Sequence, residues 1–191
     1  NIKKSIFKKR KKNYNKLKRK KQNDFNVLVY NFVSILSHSK TGKEVIKELA
    51  GDDKAYRSLT VSWFKNSPLF EIIQKAQQLG QKLIITTDHG TINCKNPSKI
   101  IGDKNISSNL RYKTGKSLSY SEKDVFEVKN PKDIFLPSIS FNSPFVFAKE
   151  DLFFAYPNNY NHFVNYFRNT YQHGGVSLEE MIIPCAVYSP K

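Results

Sequence analysis

Asp88 and His89, adjacent in the sequence, have the chemistry of metal ligands, and His38 follows a β-prone run that could bring it to the same sheet edge. A carboxylate and neutral imidazoles all donate to a divalent ion such as zinc. The Asp88-His89 pair is the most informative, because it closes the apolar run Leu83-Ile84-Ile85 and is followed by Gly90, where the backbone can turn. The run lacks alternation, as expected of a parallel strand covered on both faces. Ligand sites in open α/β sheets gather beyond the carboxyl ends of such strands. The plainer alternative makes Asp88-His89 a strand-end turn with capping or hydrogen-bonding duty. His173 precedes Gly174-Gly175 and reads as a turn residue more often than a ligand, and His162, in an aromatic run, reads as packing or surface.

Elements that would position these residues can be read on either side. Residues 24–33 form the first β-prone run, leading to Ser34-Ile-Leu-Ser-His38. Helical signals follow over 43–49, about 52–64 and 68–79. The last is the clearest: Ser67 suits the N-cap, Pro68 the first turn, and Leu69, Ile72, Ile73, Ala76 and Leu79 make one stripe before Gly80. A strand, helices, strand order over 25–87 implies a crossover and parallel strands, which would bring 34–38 and Asp88-His89 to one sheet edge.

From 91 to about 170 the pattern changes to short β-prone runs broken by Pro, Gly and Ser, with strands expected at 125–128, 145–148 and 152–156. This segment reads as an insertion between core strands. Arg111 and Lys113 lie within it and are candidates to meet an anionic substrate, against the plainer reading of a solvated loop. Residues 160–171 read as an aromatic helix. Ser177-x-x-Glu180 has the spacing of a capping box, and 181–188 reads as a last strand interrupted by Pro184.

Composition limits the alternatives. With 191 residues and 39% apolar content the chain can bury one core. No run approaches the roughly 18 apolar residues of a membrane span, and the first residues given lack the apolar core of a secretory signal, which any upstream sequence would have to carry. Two cysteines, Cys94 and Cys185, argue against a disulfide framework and for a reducing, cytoplasmic setting. The net charge of +16 is concentrated: residues 1–22 hold twelve of the 32 Lys and Arg and no acid, leaving 20 basic against 16 acidic elsewhere. That segment, with 1–23 set apart from 24–191, is either a solvated linker or an electrostatic handle for nucleic acid or a partner. The first residue is Asn, and upstream sequence is expected.

Longer motifs add a resemblance. Tyr30-Asn-Phe-Val33, Ala55-Tyr-Arg-Ser-Leu-Thr-Val-Ser-Trp-Phe64, Thr86-Thr-Asp-His-Gly-Thr91, Asn109-Leu-Arg-Tyr-Lys113, Phe154-Ala-Tyr-Pro-Asn-Asn-Tyr160 and Gln172-His-Gly-Gly-Val-Ser-Leu-Glu-Glu-Met181 are similar to the PglZ-type domain of the alkaline phosphatase superfamily, as found at the C-terminus of PorX-like response regulators. The likeness covers about residues 24–191. It implies the C-terminal part of an α/β, alkaline-phosphatase-like sandwich with a parallel-rich sheet, flanking helices and an inserted β-rich cap. It also implies a cytoplasmic two-zinc phosphohydrolase or phosphodiesterase in a two-component system linked to type IX secretion. Its substrate would be a phosphoester or phosphodiester, an oligonucleotide included.

In such enzymes Asp88 and His89 would bind one metal and His38 and His173 the other, with a receiver domain upstream. Two departures imply impaired catalysis. Ser34 stands where the family has a metal-binding Asp, and the nucleophile belongs to an N-terminal half of the domain for which no residue here stands in. A degenerate domain kept as a non-catalytic regulatory, nucleic-acid-binding or protein-binding module is the competing expectation.

Overall fold

The computed structural model describes residues 27–30, 53–102, 107–137 and 143–190. Described residues up to Ile85 form one compact unit with those from Ala186 onward, and Thr86–Cys185 forms a second. The expectations for 34–38, including His38, and for the helix at 43–49 lie outside the described residues.

In the first unit, helix α1 spans Asp53–Lys65 and helix α2 spans Pro68–Gln78. The break between them is local chemistry. Ser67 takes extended dihedrals, its side chain accepts from Phe70 N, and Pro68 fills the first turn. Phe64 and Phe70 pack edge to face across the corner, ring centroids 5.5 Å apart. Gly80, at φ +63, lets the chain leave α2. Strand β1, Leu83–Thr86, then pairs with the last strand, β10, Cys185–Tyr188.

Two expectations are corrected here. β1 is not a strand buried on both faces: Ile84 is 56% and Ile85 39% exposed, because among the described residues it belongs to a two-stranded sheet, which has no second layer on each face. Of the expected first strand only 27–30 is described, and it carries no strand.

The second unit is β-rich. In chain order it contains β2 (Ile92–Cys94), β3 (Asn96–Ile101), β4 (Tyr112–Thr114), β5 (Ser119–Tyr120), β6 (Val125–Val128), β7 (Phe145–Ala148), β8 (Leu152–Ala155), helix α3 (Tyr160–Phe167), β9 (Thr170–Gln172) and the short helix α4 (Leu178–Met181). Strand order is β2-β9 in one sheet, β5-β3-β8 in a second and β4-β7-β6 in a third. The pairs β2–β9, β3–β5, β4–β7 and β6–β7 are antiparallel and β3–β8 is parallel. The α/β class holds, and the parallel-rich expectation is met only in part.

Period-two alternation explains the core. Along β7, Val146 and Ala148 enter one cluster with Ile100, Val125 and Phe154, while Phe145 and Phe147 enter another with Val128. Along β8, Phe153 and Ala155 face Ile92, Cys94 and Val164, and Phe154 faces the other way. Both strands are therefore covered on both sides. Among the described residues no helix is long and apolar enough to cross a membrane.

Candidate metal-binding site

Register brings Asp88-His89 and His173 together. β2 and β9 run antiparallel with Ile92 opposite Gln172, so the residues just before β2 and just after β9 emerge side by side. There the imidazoles of His89 and His173 stack, ring centroids 3.8 Å apart and planes within 15°. Asp88 is almost fully exposed beside them, its Oδ1 3.8 Å from His89 Nε2.

His89 is preset for donation through one nitrogen. Its Nδ1 lies 2.8 Å from Gly90 O, and since a carbonyl only accepts, Nδ1 carries the proton and the neutral ring keeps its lone pair on Nε2. Metal-binding histidines are oriented in this way by a carbonyl behind the ring. Thr87 Oγ1 donates to His89 O at 3.1 Å and steadies the same turn.

Beneath the histidines lies a buried ionic pair. Arg111, directly before β4, donates through Nε to Glu180 Oε1 at 3.0 Å and through Nη2 to Glu180 Oε2 at 2.9 Å, with the two side chains 0% and 1% exposed. Arg111 Nη1 also donates to Leu152 O. Glu180 accepts from Gly175 N at 2.9 Å and, as the carboxylate half of the capping box, from Ser177 N at 3.3 Å. Burial by itself would raise this carboxyl, but the Arg111 guanidinium and the hydrogen bonds from Gly175 and Ser177 hold it below its ordinary value. Glu180 O in turn accepts from Gly90 N at 2.8 Å, which ties the Asp88-His89 turn to α4.

Glycines are required by these approaches. A Cβ on Gly90 would sit 1.9 Å from Glu179 O, and one on Gly175 would sit 2.5 Å from Glu180 Oε2. Gly174 takes φ +104 against Asn109.

The two cations proposed from sequence have distinct surroundings, and neither is a solvated loop residue. Arg111 has its fork engaged by Glu180 and Leu152. Lys113 is fully buried, donates to Ser107 O at 2.7 Å and lies over the Tyr156 ring at 4.6 Å from its centroid. Among the described residues no carboxylate pairs with it, and burial lowers its pKa from 10.5 to about 8. A lysine lowered in the fold is charged in the unfolded chain and neutral in the native one between those values. Stability should therefore rise as pH climbs from about 8 toward 10.5. Lys113→Met should flatten that rise in denaturant titrations across the window.

Asn109, Glu180 and the Gly90, Gly174 and Gly175 contacts were not legible as site elements. Only the Ser177-x-x-Glu180 spacing hinted at Glu180, and it predicted a cap, not a partner 69 residues away.

Among the described residues no group of three or more His, Cys, Asp or Glu is gathered to hold a metal ion. Asp88 with His89 is instead a two-donor set, with His173 beside it.

Comparison with known families decides what this arrangement belongs to. A model of the BREX system PglZ alkaline phosphatase-like domain matches residues 2–188. The chain belongs to the PglZ family. The match runs through the Asp88-His89 turn, the Arg111–Glu180 pair and the His173-Gly-Gly segment, and it includes nearly all of the basic segment at the start. A search of curated proteins returned no match. Membership in an alkaline phosphatase-like family carries a phosphohydrolase-type fold.

Proposed function

We propose that this PglZ domain is a zinc-dependent phosphohydrolase acting on phosphodiesters, with Asp88 and His89 serving one ion and His173 serving the other. The observation that carries this reading is the His89–His173 stack. Imidazole lone pairs lie in the ring plane, so two rings within 15° of parallel and 3.8 Å apart do not aim at a common point. They suit two ions, and the ions of two-metal hydrolytic sites stand about 3.5–4 Å apart.

The donor types also match zinc, since a carboxylate and an imidazole are both zinc ligands, with Asp88 and His89 supplying two of its positions. Ligand atoms on a tetrahedral zinc ion lie about 3.3 Å apart, close to the 3.8 Å between His89 Nε2 and Asp88 Oδ1. Ions held there would supply polarisation of the phosphoryl oxygens and would lower the pKa of a nucleophile. The chain's own part is to hold the imidazoles and to keep Nδ1 of His89 occupied by Gly90 O. Arg111 and Lys113 remain candidates for substrate contact if the cap opens, since both are buried in this structure.

Ser34, in the position of a family Asp, argues for weak activity: a neutral hydroxyl is a poor substitute for an anionic ligand. The expected result is slow, zinc-dependent release of nitrophenolate from a nitrophenyl phosphodiester, falling to the buffer background in His89→Ala. Turnover that survives His89→Ala or chelation of zinc would reject the reading. The finer assignment to a cytoplasmic, PorX-like two-component response regulator with a receiver domain and a link to type IX secretion is supported by the motif likeness alone.

The basic run at residues 1–22 supports a second reading, a regulatory module that binds nucleic acid or a protein. It predicts salt-sensitive binding to an oligonucleotide that disappears when residues 1–22 are deleted. Unchanged affinity after that deletion would remove it.

A further inference from the structure

We propose that Asn109 is a positioning residue: its carboxamide holds the main chain of His173 so that the His173 imidazole stays stacked on His89. The inference rests on the zinc reading for its functional meaning and on geometry for its substance.

Both ends of the carboxamide are used. Oδ1 accepts from Arg111 N at 2.7 Å and from Tyr112 N at 3.1 Å, and Nδ2 donates to His173 O at 3.1 Å. Rotating the amide by half a turn would set its NH2 against two N–H donors, so the two acceptor contacts fix its direction. His173 O is thereby given a donor. The main chain then folds over the carboxamide at Gly174, where φ is +104 and a Cβ would lie 2.7 Å from Nδ2. One residue on, Gly175 N is held by the Glu180 carboxylate.

His89 is fastened to the same body from the other side, through Gly90 N to Glu180 O. Asn109 thus fixes one member of the stack and Glu180 the other, and Arg111 joins the two anchors, donating through its main-chain N to Asn109 and through its fork to Glu180.

Asn109→Asp tests this with almost no change of shape. It keeps the acceptor for Arg111 N and Tyr112 N and replaces the donor with a carboxylate oxygen facing a carbonyl. In the unaltered chain the imidazole C–H protons of His89 and His173 should be shifted upfield by the facing ring. In Asn109→Asp both should return toward unstacked values while amide protection in β4 and β7 is retained, and zinc should bind about 10–100-fold more weakly, the scale of losing an outer partner of a ligand.

In the unaltered chain the Asn109 side-chain NH2 should also exchange with solvent slowly, a measurement that decides the matter even if the variant fails to fold. Unchanged histidine shifts in a folded variant, or an Asn109 NH2 that exchanges at the solvent rate, would overturn the proposal. If the histidine shifts move as expected but the unaltered chain binds no zinc, the positioning role stands and the zinc reading falls.

Discussion

Glu180→Ala is expected to destabilise the protein by about 3–5 kcal/mol, because it leaves the Arg111 guanidinium buried without a counter-charge. The magnitude follows from asymmetry. Removing one partner of a buried pair exposes the full desolvation cost of the other, whereas replacing both with apolar groups removes that cost together with the attraction. Arg111→Met combined with Glu180→Leu should therefore be less damaging than Glu180→Ala alone. It should still cost about 1–3 kcal/mol, because Gly175 N loses its acceptor.

The same pair gives a pH signature. Glu180 has a folded pKa below its ordinary 4.5, so its contribution is fully present above that value and is lost as pH falls through the lowered folded value. Chemical denaturation followed by amide exchange in β4 and β7 reads both effects. A Glu180→Ala chain as stable as the parent would show that the ionic pair does not hold this unit together.

Gly90→Ala is expected to cost about 1–3 kcal/mol or more, and to do so at the site itself. The added Cβ would meet Glu179 O at 1.9 Å and Glu179 C at 3.0 Å. These are backbone atoms, which cannot swing aside like a side-chain tip. Relief requires the Asp88-His89 turn to move off α4, breaking the hydrogen bond from Gly90 N to Glu180 O. Gly80→Ala is the control. It has open space around the new methyl but a φ of +63, so it should cost about 1–2 kcal/mol of backbone strain and leave the histidine stack unchanged. Equal histidine spectra in the two variants would contradict the steric account of Gly90.

Much of the scaffold was legible because local signals agreed with tertiary placement. Ser67-Pro68 and the stripe of α2, the β-branched and aromatic runs of β6, β7 and β8, and the Ser177-x-x-Glu180 cap all fold as their chemistry suggests. The misread parts have identifiable competitors. The aromatic helix expected over 160–171 stops at Phe167, where Arg168 turns extended and Asn169 takes φ +60, since Thr170 to Gln172 are claimed by pairing with β2. The last strand expected over 181–188 starts only at Cys185, because the capped helix α4 runs through Met181 and Pro184 cannot donate to a ladder.

At the candidate site, residue types suggested donors but not the contacts around them. Asp88 and His89 were candidate donors by residue type and His173 by the motif likeness, and the β2–β9 register brings His89 against His173. Arg111 looked like a substrate cation because nothing local marks a carboxylate 69 residues away as its partner. Asn109 carries no chemical signal at all; its importance lies in the fixed direction of one amide.

Zinc binding to the full chain and to its His89→Ala and His173→Ala variants, measured by calorimetric titration to saturation, addresses the central claim most directly. Two ions per chain are expected, with His89→Ala losing one and His173→Ala losing the other, if the stacked rings serve separate ions as proposed. Absence of zinc binding, or a single ion lost equally in both variants, would contradict it.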